Sequence, residues 1–137
     1  MLVPLVLQND TYSCGASCAI MVASYYSGSI VPPDQQEAIR HSCLGKRGYT
    51  SQNRLIAAVR ELGLSVGIRR NATIDTYRKA FYYQRPVIVY HETGEHWMVG
   101  VAESNGLIIC NDPQSPIQTR YNPEQLSDTL LVIRSKT

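Results

Sequence analysis

The sequence lacks any strong charge imbalance: thirteen Lys and Arg against eleven Asp and Glu leave a formal net charge of +2. Its basic residues do not cluster beyond Arg69-Arg70 and Arg78-Lys79, so no nucleic-acid partner is indicated. Long hydrophobic runs are missing too. The longest near the start, Leu2 to Leu7, is broken by Pro4 and has no basic flank, which excludes a signal peptide or a membrane span there. The sequence contains no repeats and no low-complexity stretch. The expectation is a soluble chain with no address of its own, whether complete or one domain of a longer protein. Cysteine is sparse, with four residues at 14, 18, 43 and 110, short of the density that staples small secreted scaffolds. Cys14 and Cys18 are four apart and share one helical face, where a bridge would be strained. Reduced thiols in a cytosol-like compartment follow. A zinc site from Cys14, Cys18, His41 and Cys43 is the other ordinary reading, but C-x3-C and H-x-C spacings match structural zinc patterns poorly. What remains is a globular composition, 44% apolar and 18% charged over 137 residues. That is enough to bury a core in a single domain, residues 1–137.

The most informative stretch runs from Gln8 to Met21. A polar, turn-prone run (Asn9, Asp10, Thr11, Ser13) gives way to an apolar helical run at Cys14-Gly15-Ala16-Ser17. Cys14 therefore falls at the first turn of a helix, where backbone N–H groups and the helix dipole favour a thiolate. Gly15 removes a side chain beside the sulfur and lets another backbone approach closely.

The rest of the pattern is helix-rich, then strand-rich. Cys14 to Tyr26 is a buried helix closed by Ser27-Gly28-Ser29. Pro33 opens a short helix running to about His41, and Gly45 to Gly48 form a loop. Ser51 caps a helix over Gln52 to Leu62, which Gly63 stops. Leu64 to Ile68 reads as a strand and Thr73 to Tyr83 as a helix with Ile74, Tyr77 and Phe81 on one side. After Pro86 the texture changes. Val87 to Tyr90 is a buried strand. His96 to Ala102 and Leu107 to Cys110 form a hairpin around Asn105-Gly106, a strong turn signal. Ile117 to Tyr121 adds a strand, Pro123 to Leu126 a helical turn, and Thr129 to Arg134 the last strand. Helices followed by an antiparallel sheet define an α+β fold class.

A nucleophilic cysteine needs a base, and the base needs an orienting group. Three histidines exist. His41 ends a short helix with nothing acidic nearby. His91 ends a strand beside Glu92, in a loop. His96 opens a strand, where a sheet would hold it. With the turn at Asn105-Gly106, residues whose numbers sum to about 211 face each other. His96 then lies near the level of residue 115, and a bend at Pro113 brings the Asp112 carboxylate towards the imidazole. Taken singly, each feature has an ordinary reading: Cys14 as a small buried hydrophobe, His96 as a strand histidine, Asp112 as a turn residue before Pro113, Gln8 as a solvated strand end. The ordered set is the specific signal.

That order resembles the papain-like cysteine proteases, and within them the C39 peptidases and C39-like domains, which process leader peptides after a double-glycine motif. The matching residues are Gln8, Cys14-Gly15-Ala16, His96 with its following strand, and Asp112-Pro113; Tyr25 to Gly28 and Leu55 to Leu64 also look like that family. Where the family often has Asp-Cys-Gly, this chain has Ser13-Cys14-Gly15. No transporter portion follows the domain in this sequence, so the resemblance carries the activity further than it carries the leader-peptide substrate.

The resemblance implies a papain-like fold, N-terminal helices packed on a C-terminal antiparallel sheet, with roles for four residues. Cys14 is the nucleophile and His96 the general base and acid. Asp112 orients the imidazole. Gln8 and the Cys14 backbone N–H hold the oxyanion, where one donor is worth about 100- to 1,000-fold in rate. Asn111 is a rival for the orienting role, since papain uses an asparagine. No metal or other cofactor is needed. The implied partner is a peptide or protein with a small-residue site such as Gly-Gly. Two roles compete. One is leader maturation in the cytoplasm. The other is an antibacterial effector delivered into a target cell's cytoplasm and restrained by an inhibitor or immunity protein. Acyl transfer of the transglutaminase-like kind and a non-catalytic peptide-binding module are the alternatives.

Overall fold

A computed structural model describes residues 1–10, 13–44 and 49–136. The loop expected at Gly45 to Gly48 lies outside the described residues. Three helices come first: α1 (Cys14–Ser27), α2 (Pro33–Cys43) and α3 (Gln52–Glu61). They are followed by β1 (Leu64–Arg69), α4 (Ile74–Tyr82), β2 (Val87–His91), β3 (His96–Ser104), β4 (Leu107–Asn111), β5 (Thr119–Tyr121), a 3₁₀ turn (Pro123–Gln125) and β6 (Leu126–Ser135). The strands form one six-stranded sheet in the order β1-β6-β2-β3-β4-β5, every neighbour antiparallel.

The helices form where the local chemistry asks for them. In α1 every residue from Cys14 to Val22 is buried, as expected of a helix made of small and apolar side chains all round. Of its two buried hydroxyls, Ser24 Oγ is satisfied locally, donating to the Ile20 carbonyl (2.7 Å) and accepting from the Val31 N–H (3.1 Å), while Ser17 Oγ has no partner among the described residues. Gly28 ends the helix at φ +80°, a left-handed C-cap that glycine adopts without steric cost. Ser51 caps α3 by accepting from the Arg54 N–H (3.2 Å). That helix stops at Glu61, with Leu62 as its cap and Gly63 at φ +83°.

Both faces of the sheet are covered. One face carries Ile88, Trp97, Val99, Val101, Leu131 and Ile133, packed with α1, α2 and α3. The other carries Val87, Val89, Met98, Ile108, Leu130 and Val132, packed with Tyr77 and Ala80 of α4. Alternate residues of β2 and β6 thus serve opposite cores, which is why these strands read as unbroken apolar runs.

The α+β layout of N-terminal helices on an antiparallel sheet is present, and the strand expected at Leu64 joins that sheet, pairing with β6 from Leu64↔Ser135 to Arg69↔Leu130. Two strand bounds are corrected. β5 starts at Thr119 and not at Ile117, which is exposed while its N–H meets Ser115 Oγ. β6 starts at Leu126, ahead of Thr129, because pairing with β2 (Leu126 facing His91) recruits a polar Ser-Asp stretch that has no strand signature of its own. The β3–β4 hairpin begins as its turn dictates, with Ser104 facing Leu107 and Ala102 facing Ile109. A bulge between Gly100 and Ala102 then moves the register by one residue, so that Val99 faces Asn111. The bulge brings β3's first residue, His96, closer to the level of Asp112 than a straight ladder would.

Candidate active site

Cys14 is the first residue of α1, and the turn before it is held by its own side chains. Asn9 N–H and Ser13 Oγ meet at 3.2 Å, and Ser13 Oγ donates to Asn9 Oδ1 (3.2 Å). Gly15 faces Thr50: a Cβ there would lie 2.6 Å from Thr50 Cβ. The close neighbour that Gly15 admits is thus the Thr50 side chain and not the backbone expected there. Thr50 is fixed in turn by Trp97 Nε1, which donates to the Thr50 carbonyl (3.0 Å). Cys14, Tyr49, Thr50, Tyr90, Glu95 and Trp97 line a cleft of about 350 Å³.

His96 begins β3 and is 5% exposed; Asp112 follows β4 and is also 5% exposed. His96 Nε2 and Asp112 Oδ2 are 2.9 Å apart. The bend expected at Pro113 is present: the Asp112 carbonyl accepts from the Ser115 N–H (2.9 Å), and Asp112 Oδ1 accepts from the Gln114 N–H (2.9 Å). Asp112 Oδ2 also accepts from the Tyr121 hydroxyl (3.1 Å). The other imidazole nitrogen, His96 Nδ1, meets the Gly94 carbonyl at 3.1 Å. Both partners of the ring are acceptors, and only the imidazolium has two N–H groups to give them.

The electrostatics agree with that state. Burial works to lower the His96 pKa, but the hydrogen bonds to Asp112 and Gly94 and the Asp112 charge outweigh it, and the pKa lies above its ordinary value. Burial works to raise the Asp112 carboxyl. The His96, Gln114 and Tyr121 donors and the His96 charge outweigh it, and the carboxyl lies below its ordinary value. Cys14 goes the other way. Burial pushes its thiol up, and this outweighs the backbone amides of Trp97, Gly15 and Cys14 that pull it down. The thiolate expected from a helix start is therefore not the resting species: the helix-start amides act as foreseen, but desolvation is larger.

The sequence-derived set is largely brought together. His96 and Asp112 are in contact, and Cys14 shares its cleft with Trp97, the residue after His96. Asn111, the rival of Asp112, is turned elsewhere: its Nδ2 donates to the Val3 carbonyl (2.8 Å) and its Oδ1 accepts from Gln118 (3.0 Å). Gln8 is tied to the same corner through its backbone, whose N–H meets the Pro113 carbonyl at 3.0 Å. One N–H of its Nε2 goes to the Asp10 carbonyl (2.6 Å), which leaves the second for another acceptor. Its Oε1 is buried without a hydrogen-bond partner among the described residues. His41 is exposed on α2. His91 is the last residue of β2, not a loop residue, and its ring lies 5.2 Å from His96 and 4.8 Å from Tyr121. Cys18, Cys43 and Cys110 are each buried within a core and unpaired. Among the described residues no group of three His, Cys, Asp or Glu side chains is placed to hold a metal ion. Sequence reasoning missed Tyr121, Thr50, Trp97 and the Gly94 carbonyl. Each is close in space to the site and remote or unremarkable in sequence; only the Gly15 vacancy hinted at a partner such as Thr50.

A helix-start thiol in a cleft beside a histidine–carboxylate pair on an antiparallel sheet is the arrangement of the papain-like thiol peptidases, and the solved structures that resemble this chain share its fold. A double-glycine-motif protease from an AMS/PCAT transporter, in complex with the leader peptide, matches with a TM-score of 0.75 at 20% identity, covering 98% of this chain and 93% of that one. The peptidase domain of Streptococcus ComA, a bifunctional ABC transporter of a quorum-sensing pathway, matches with a TM-score of 0.77 at 23% identity, covering 98% and 100%. That of Streptococcus mutans ComA gives 0.63 at 18% identity, covering 94% and 97%. No curated protein matches the chain. The model of the peptidase C39 family matches residues 3–130. The chain belongs to that family and is a protease.

Proposed function

We propose that this protease is a cysteine endopeptidase that cuts a peptide leader after a small-residue pair such as Gly-Gly, with Cys14, His96 and Asp112 as its triad and Gln8 as an oxyanion donor. The observation that carries the reading is the buried His96 Nε2–Asp112 Oδ2 contact of 2.9 Å, made by a histidine whose two chain neighbours, Glu95 and Trp97, line the Cys14 cleft. Because Nε2 is bound to Asp112, the nitrogen that serves the sulfur is Nδ1, now on the Gly94 carbonyl. Release from Gly94, with loss of the Nδ1 proton to solvent water, leaves a neutral imidazole that turns Nδ1 to Cys14. The thiol proton passes to Nδ1, and the thiolate attacks the scissile carbonyl carbon. The carbonyl oxygen takes the negative charge opposite the Cys14 backbone N–H and the free N–H of Gln8 Nε2. As the tetrahedral species collapses, the C–N bond breaks and the imidazolium gives its proton to the departing amine. Water then donates a proton to His96 and attacks the thioester, which frees the new carboxylate and the thiol.

Three aromatic side chains, Tyr49, Tyr90 and Trp97, wall the cleft beside Cys14. A backbone without side chains fits such a slot better than one with them, which supports Gly-Gly before the cut. Support for a leader substrate comes from the relative whose structure holds a leader peptide, and it points to action in the cytoplasm where leaders are made. The test is cleavage of a synthetic peptide carrying one Gly-Gly site, read by mass spectrometry. Cys14→Ala and His96→Ala lose turnover, Asp112→Ala loses about 100-fold or more, and Asn111→Ala stays closer to wild type. If Asn111→Ala alone removed turnover, Asp112 would lose its role. Toxicity on expression that disappears in Cys14→Ala would instead favour an effector held by an immunity protein.

A further inference from the structure

Asp112 is held by three donors from three places in the chain. His96 Nε2 and the Tyr121 hydroxyl both reach Oδ2, at 2.9 Å and 3.1 Å, while the Gln114 N–H holds Oδ1 at 2.9 Å. The Gln114 contact is local and fixes one oxygen. Rotation about the Cβ–Cγ bond is stopped only if the second oxygen is also held, and His96 cannot do this alone because it must move during turnover. Tyr121 is the donor that stays. It comes from β5, the edge strand paired with β4, and its ring lies against His91 at 4.8 Å. His91 stands perpendicular to His96 at 5.2 Å. Hydroxyl, carboxylate and two imidazoles thus form one continuous cluster.

We propose that Tyr121 is a positioning residue of this peptidase, its hydroxyl holding Asp112 Oδ2 in line with His96 Nε2 while the imidazole swings between Gly94 and Cys14. The inference rests on the triad reading above. Outer partners of this kind, which orient a group that itself orients the reacting one, are worth about 10- to 100-fold in activity where they have been removed. The titratable groups facing the Asp112–His96 pair are Cys14 and Cys18 from α1, His91 from β2, Cys110 from β4 and Tyr121 from β5. His91 is held below its ordinary value, first by burial and then by the charge of His96. The acidic limb of the activity profile accordingly reports His96, which must lose its second proton before it can take that of the Cys14 thiol.

Tyr121→Phe keeps the ring against His91 and removes only the hydroxyl. With the Gly-Gly peptide as substrate, kcat falls about tenfold and KM stays within about twofold. The acidic limb of kcat/KM moves down by about half a pH unit as the imidazolium loses support from a well-aligned carboxylate. Thermal unfolding confirms that the variant is folded. In parallel, the rate of iodoacetamide addition to Cys14 across the same pH range gives a readout that survives when turnover is too slow to measure. In the Asp112→Asn background, Tyr121→Phe adds nothing to the alkylation profile, because the residue it acts through is already altered. A lower kcat with an unmoved limb, an upward shift of the limb, or an additive effect in the double variant overturns the proposal. If Asp112→Asn itself matches wild type, the triad reading fails and Tyr121 with it. If Asp112→Asn is crippled and Tyr121→Phe is not, only the role of Tyr121 falls.

Discussion

At Cys14 two residue-scale effects oppose each other: the amides of a helix start favour the thiolate, and burial to 7% exposure disfavours it more strongly. The neutral thiol and the Gly94-bound imidazolium are the two halves of a resting state, and reactivity waits on the imidazole's release. The other thiols have no such route. Burial raises Cys18 well above its ordinary value, pushes Cys43 up to about 11 and raises Cys110 as well, and among the described residues none is hydrogen-bonded to a base. One equivalent of iodoacetamide at pH 7.5 or so therefore labels Cys14 about tenfold faster than the other three in the folded protein. Peptide mapping after brief exposure checks this, and equal labelling of all four would remove the case for Cys14. Cys14, His96 and Asp112 were legible in the sequence because each stands at an element boundary that its neighbours announce: a polar run before a helix, a charged turn before a strand, a proline after one. Tyr121 was not, since its contact depends on the pairing of β5 beside β4, which sets Tyr121 opposite Ile108, and an edge-strand tyrosine carries no mark of what its hydroxyl meets.

At the scale of elements, two glycines show how the site is fitted between α1 and the hairpins. Gly15 faces a residue that cannot withdraw, because Thr50 is pinned through its carbonyl by Trp97 Nε1. Gly15→Ala must push α1 away from the Thr50 segment, and overpacking of this kind costs about 1–3 kcal/mol, measurable as a lower urea midpoint with an unchanged slope. Gly94 lies in the exposed turn between β2 and β3, where a Cβ would collide with His91 and come within 2.7 Å of His96 Nδ1. Gly94→Ala therefore displaces the imidazole while leaving the core untouched. Stability shifts little, and kcat/KM on the Gly-Gly peptide falls about 100-fold. If the two variants lost stability equally, the turn would be part of the core and not a holder of His96. Helix bounds were readable to within a residue or two from caps such as Ser51, Pro33 and Gly28. The starts of β1 to β4 were equally readable, and those of β5 and β6 were not, because Leu126 and Ile117 differ in what pairs with them and not in what they are. The bulge that shifts the β3–β4 register likewise left no trace in the residues around Gly100.

For the whole molecule, the pairing of β1 with β6 decides the shape: a strand from the helical half closes one edge of the sheet, so α1–α3 and α4 are held on opposite faces. That crossing was invisible in a sequence that reads as helices followed by strands, since Leu64 to Arg69 would suit any edge. The same fold buries an ion pair at the end of β3 and β4, and this makes stability depend on pH in a definite direction. His96 has a folded pKa above its ordinary 6.5, so its contribution is complete below 6.5 and disappears as pH rises through the folded value. Asp112 has a folded pKa below its ordinary 3.8, so its contribution is complete above 3.8 and disappears as pH falls through the folded value. The pair therefore stabilises the protein most between pH 3.8 and 6.5. Across that window the wild type should unfold at least about 4 °C above Asp112→Asn. The gap should narrow on the alkaline side as His96 loses its second proton, and again in strong acid as Asp112 is neutralised. Calorimetric scans of both proteins from pH 3 to 9 or so measure that difference directly. A gap that widened steadily above neutrality would mean that the imidazole is neutral in the folded state. The Gly94 carbonyl would then be no resting place for an N–H on Nδ1, and the resting state drawn for His96 would have to be abandoned.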